Sequence, residues 1–100
     1  MFNFRDDLYV GPSITNEVKA KWRIRTGRGQ FNIYLITLNH DSNKIEYFHN
    51  AMLKQKILFK RDYDVIGIAG SADECIGIVE QIHTECYEKL GNYNVIDYLK

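Results

Sequence analysis

The chain has 100 residues, 45% of them hydrophobic and 26% charged, and its 13 basic and 13 acidic residues cancel to a formal net charge of zero. That length excludes a second domain, and that composition excludes an intrinsically disordered chain. A neutral chain has no global field to steer it to nucleic acid or an anionic membrane, and it meets little charge repulsion from other copies of itself.

From the N-terminus, Met1 to Val10 mixes Asn3, Arg5, Asp6 and Asp7 with its apolar residues, so it lacks the unbroken apolar core of a secretory signal. No stretch reaches the roughly 20 apolar residues of a membrane helix, and a cytoplasmic location is expected. Thr15 to Gly29 supports two readings. Val18, Ala20, Trp22 and Ile24 alternate with Lys19, Lys21, Arg23 and Arg25 at the period of a strand. Against this, Glu17, Lys19, Ala20, Lys21 and Arg23 are good helix formers and Gly27 can end a helix. Propensity tips the balance to a helix of about ten residues that packs Ile14, Val18 and Trp22 inward.

Gln30 to Leu38 reads as a strand with Phe31, Ile33 and Leu35 on one face and Tyr34, Ile36 and Leu38 on the other. The turn cluster His40-Asp41-Ser42-Asn43 joins it to a second strand, Lys44 to His49, as a hairpin. Asn50 can cap a short helix holding Met52, Leu53, Ile57 and Leu58. Val65 to Ala69 is a further strand, broken by Gly70. Ser71-Ala72-Asp73-Glu74 then has the order of a capping box, in which serine and glutamate satisfy orphan amides at a helix start. Cys75, Ile78, Val79, Ile82, Cys86 and Leu90 recur at three- and four-residue steps, Glu80, Gln81, Glu85 and Glu88 take the other side, and Gly91 stands at the C′ position. Asn94 can cap a last short helix carrying Val95, Ile96 and Leu99.

These elements predict one α+β domain over residues 1–100: a small, mainly antiparallel sheet of three to four strands with the long C-terminal amphipathic helix packed on one face. Strands apolar on both faces need cover on both sides, and one long helix shields only one. The first helix, the segment near Met52 and the C-terminal tail are candidate covers from the same chain. A second copy is another, and a homodimer is expected on this ground. Cys75 and Cys86, eleven residues apart on one helix, are about 16 Å apart along its axis. They are too far apart for a disulfide within that helix, which fits a reducing compartment.

No motif specifies a reaction. Gly67-Ile68-Ala69-Gly70-Ser71 has the strand, glycine and helix order of a phosphate loop but lacks both the dinucleotide fingerprint and the P-loop lysine. Glu80, His83 and Cys86 offer metal-ligand types on one helix, but in one copy and too few for a site. No catalytic residue, metal site or cofactor is therefore assigned. The one candidate surface is basic: Lys19, Lys21, Arg23, Arg25 and Arg28 surround Trp22 with no acid among them. Cations around an aromatic can contact phosphates and stack a base. A helix, three strands and a helix would also follow the order of double-stranded RNA-binding domains. That family's lysine cluster at the last helix is replaced here by Ser71-Ala72-Asp73-Glu74.

Leu8-Tyr9-Val10-Gly11, Gly29-Gln30-Phe31 leading to Ile33-Tyr34-Leu35-Ile36-Thr37-Leu38, and Val65-Ile66-Gly67-Ile68-Ala69-Gly70 with Asp73-Glu74 following are similar to a group of short bacterial proteins with no assigned function. The resemblance implies a shared fold and a bacterial cytoplasm and carries over no site residue. The leading expectation is a non-enzymatic, self-associating interaction module. Weak, shape-directed nucleic-acid binding through Lys19 to Arg28 is the alternative, and a small-molecule enzyme is third.

Overall fold

In the computed structural model, residues 2–26, 33–40, 42–49 and 63–99 are described. Among them the elements run β1 (Phe2–Val10), α1 (Glu17–Thr26), β2 (Tyr34–Asn39), β3 (Lys44–His49), β4 (Tyr63–Ala69), α2 (Ala72–Leu90) and α3 (Val95–Tyr98). The strands form one sheet in the order β1-β4-β2-β3. β2 pairs antiparallel with β3 and β4, and β1 pairs parallel with β4. The protein is thus α+β, with a mostly antiparallel sheet and the long helix on one face, as its sequence predicts. The short helix expected after Asn50 lies outside the described residues.

β1 has no counterpart among the sequence-predicted strands. Its N-terminal half pairs Phe4 with Val65 and its C-terminal half pairs Tyr9 with Gly67. Five steps of β1 therefore span two of β4, and the three surplus residues bulge from the sheet edge around Arg5 to Leu8. Arg5, Asp6 and Asp7 fall in this bulge, which hides the strand's alternation. From α1 to α2 the chain does run helix, three strands, helix, as in the RNA-binding likeness, but β1 precedes that run and adds a fourth strand at the sheet edge.

Adjacent residues of β2 point to opposite sides and seed two cores. Leu35 packs with Val65, Ile68 and Ile33 beneath Ala20 and Ile24 of α1. Ile36 and Leu38 pack with Ile66, Ala69, the α2 stripe and Val95 and Leu99. α1 and α2 therefore lie on opposite faces of the sheet. Val65 and Ile68 share a face despite odd spacing because the pairing slips by one residue, from Ile36 opposite Gly67 to Thr37 opposite Val65. Ile66 is the inserted residue of that bulge.

α1 spans the helical alternative for Thr15 to Gly29, capped by Asn16, whose Oδ1 accepts from the Lys19 amide at 3.0 Å. Its orientation corrects the expected packing: Ala20 and Ile24 are buried, while Val18 is 78% and Trp22 55% exposed. Residues two apart on a helix lie about 200° apart around its axis. Apolar residues at every second position therefore cannot share one face. Burying Ala20 and Ile24 turns Trp22 outward.

α2 begins at Ser71, whose Oγ accepts from the Glu74 amide at 3.2 Å, and ends at Gly91 with φ 71° and its N–H donated to the Tyr87 carbonyl. Cys75, Ile78, Ile82 and Cys86 are buried and Val79 packs partly against them, but Leu90 is exposed. Each four-residue step overshoots a full turn by about 40°. Repeated steps carry Leu90 off the stripe. Asn94 caps α3 as expected, accepting at Oδ1 from the Asp97 amide.

Candidate functional site

The outer face of α1 holds part of the basic segment. Lys19 and Trp22 are exposed and Arg23 is half-buried. Lys21 is engaged within the chain, its Nζ 3.5 Å from Glu17 and 5.7 Å from the centre of the Phe4 ring. The Arg25 side chain and Arg28 lie outside the described residues. Of the six candidates, the structure places Lys19 and Trp22 together on one exposed surface, beside Val18.

A second feature follows from the β1 bulge. Beside it opens a cleft of about 520 Å³ whose wall includes Arg5, Asp6, Asp7, Glu17, Lys89 and Tyr98. Two cations and three carboxylates line it. The Arg5 guanidinium is already committed, donating to the Asp7 carbonyl at 2.7 Å and lying 5.7 Å from the Tyr9 ring centre.

Behind the cleft, Tyr9 of β1 and Tyr98 of α3 each donate a hydroxyl to Glu85 Oε1 at 2.8 Å, and Gln81 donates to Oε2 at 2.9 Å. These bonds, that from Gln81 foremost, hold the Glu85 carboxyl below the usual carboxylate range. Burial, with the Glu85 bond next, pushes the Tyr9 hydroxyl well above the tyrosine range. A general acid or base works best with its pKa near the operating pH. Here both groups move away from neutrality, and the trio is a structural tie joining β1, α2 and α3. Glu85, expected on the outer side of its helix, is half-buried for this reason. Gln81 lies one turn away on the same helix, but Tyr98 follows 13 positions on and Tyr9 stands 76 positions away, and helical spacing carries no sign of either tyrosine.

The remaining reactive side chains have structural partners. Burial pushes the Cys75 thiol up to about 11 and also raises Cys86, whose Sγ donates to the Asn92 carbonyl at 3.3 Å. Both are free and buried, unlike the electropositive, accessible setting of a reactive thiol. His83 meets Tyr93 edge-on at 6.0 Å, His49 meets Tyr34 at 5.1 Å, and His40 Nε2 contacts Asp64 Oδ2. Among the described residues, no group of three or more histidine, cysteine or acidic side chains could hold a metal ion. No helix among them is long and apolar enough to cross a membrane.

No protein-family model, curated protein or solved structure matches the chain.

Proposed function

We propose that the protein is a non-enzymatic interaction module that associates with further copies of itself through the outer face of α1. The observation that carries this reading is Trp22. It is the chain's only tryptophan, and it stands 55% exposed next to an even more exposed Val18. Among the described residues the buried cluster on that face takes Ala20 and Ile24 from α1, and Trp22 is not part of it. Tryptophan is enriched at the centres of protein interfaces, where burying its ring contributes disproportionately to affinity.

Self-association, with the expected homodimer as its smallest form, is proposed on this ground rather than on an uncovered sheet, since α1 lies over one face and α2 and α3 over the other. Zero net charge leaves little repulsion between copies. A reducing bacterial cytoplasm is part of the proposal. The two free cysteines support the compartment, and the resemblance to short bacterial proteins supports the source.

A second reading, nucleic-acid binding, is favoured by the pairing of exposed Trp22 with Lys19 on one surface. It would appear as salt-dependent binding of a labelled oligonucleotide that Arg23→Glu with Arg25→Glu removes. Self-association is tested by light scattering after size exclusion across a range of protein concentrations. The expected result is a mass above 11.7 kDa for the natural chain and a monomer for Trp22→Lys. A natural chain that stays monomeric throughout overturns the reading.

A further inference from the structure

The outer face of α2 carries the opposite charge from that of α1. Asp73, Glu80 and Glu88 are exposed along it, with Ile76 at 44% and Tyr87 at 53% exposure beside them. α1 sets Glu17 against Lys19, Lys21, Arg23 and Arg25, whereas α2 sets five carboxylates against Lys89 alone. The two helices on opposite faces of the sheet thus differ in the sign of their net charge.

Gly77 lies in the middle of the α2 outer face, and a Cβ built there would meet nothing within 4 Å. A glycine inside a helix costs about 1 kcal/mol relative to alanine. Among the described residues nothing needs this one, since neither a positive φ nor a close approach requires it. On a face where exposed Asp73, Ile76 and Glu80 carry side chains, the residue without one leaves a shallow hollow beside them.

We propose that this hollow on a second copy is the seat of Trp22, so that copies join head to tail, the basic α1 of one on the acidic α2 of the next. The inference rests on self-association through α1 and specifies its partner surface. Trp22 and Val18 meet Ile76 and the Gly77 hollow, and Lys19 faces carboxylates. An α1-to-α1 contact would instead bring two net-basic helices together, and like charges across an interface select against that arrangement. Because the two surfaces face away from each other, one copy cannot offer both to a single partner. The contact is heterologous, and it grows into a chain or ring beyond two copies.

Sedimentation velocity on the full chain and its variants tests this. The natural protein should form species larger than two copies as concentration rises. Trp22→Lys and Ile76→Lys, both on exposed side chains, should each remain monomeric. An equimolar mixture of these two variants should give a pair and nothing larger, because the intact α1 face of one fits the intact α2 face of the other. Gly77→Gln should raise the melting temperature, through better helix propensity, while losing association. A monomeric mixture, or natural-like association by Ile76→Lys or Gly77→Gln, overturns the head-to-tail seat. If Trp22→Lys alone is monomeric, self-association through α1 still stands. A natural chain that is monomeric at every concentration overturns both.

Discussion

Ser13 donates its hydroxyl to Glu74 Oε1 at 3.0 Å across 61 positions of sequence, and two glycines make the approach feasible. A Cβ on Gly70 would lie 1.8 Å from Ser13 Oγ, and one on Gly11 would lie 2.2 Å from Glu74 Oε1 and 3.1 Å from the Ala69 Cα. The same carboxylate oxygen accepts from the Gly70 amide at 3.2 Å. The capping-box glutamate thus pins the β1–α1 loop and the β4–α2 turn instead of serving only its own helix. Gly11→Ala should displace Glu74 and cost about 1–3 kcal/mol, as overpacking does, measured as a lower urea midpoint with unchanged slope. An unchanged midpoint would remove the tie from the account.

Acid should weaken the fold through two carboxylates. Hydrogen bonds hold Glu74, chiefly by Ser13, and Glu85, chiefly by Gln81, below the usual range. Groups with depressed folded pKa contribute stability that is complete above the unfolded value of about 4.3 and is lost as pH falls through the lower folded values. Melting temperature should therefore drop between about pH 5 and about pH 3, and Glu74→Gln with Glu85→Gln should flatten that drop.

Alkali should act through Cys75, whose thiol burial pushes up to about 11. The sign is the reverse of the carboxylates'. The contribution is present below the unfolded thiol value of about 8.5 and fades as pH rises toward the folded one. Stability should decline above about pH 8.5, and Cys75→Ala should lessen the slope even while lowering stability overall. Parallel curves for the two proteins would count against a desolvated thiol.

The α2 stripe predicts graded losses. Ile82 is fully buried, so Ile82→Ala should cost about 2–5 kcal/mol, while exposed Glu80→Ala should change stability by less than about 0.5 kcal/mol. Ser71→Ala should lose about 1 kcal/mol through the missing cap. Glu85→Ala should exceed Glu80→Ala because it leaves the Tyr9 and Tyr98 hydroxyls without their acceptor. Chemical denaturation of the four variants checks the order Ile82, then Ser71 and Glu85, then Glu80.

α2, its two caps and the two-sided apolar β2 were legible because each rests on local spacing: Ser71 with Glu74, Cys75 through Cys86, Leu35 against Ile36. β1 was not, since a three-residue bulge at Arg5 to Leu8 breaks the alternation that identifies a strand. Residues 17–26 showed their helix through propensity but not its orientation. Only the packing of Ala20 and Ile24 beneath the sheet decides that Trp22 faces out. The candidate surface was therefore named from its residue types, whereas its exposed apolar centre and its acidic counterpart across the sheet are tertiary facts.

Because Trp22 is the sole tryptophan and lies on the proposed contact, its emission reports the central claim directly. Fluorescence recorded across a dilution series should move to shorter wavelength as concentration rises and the indole leaves water, and a soluble quencher should lose access in parallel. Emission and quenching that stay those of an exposed indole at every concentration, while larger species form, would show that association does not use α1. The same signal with no larger species would show that the protein does not self-associate.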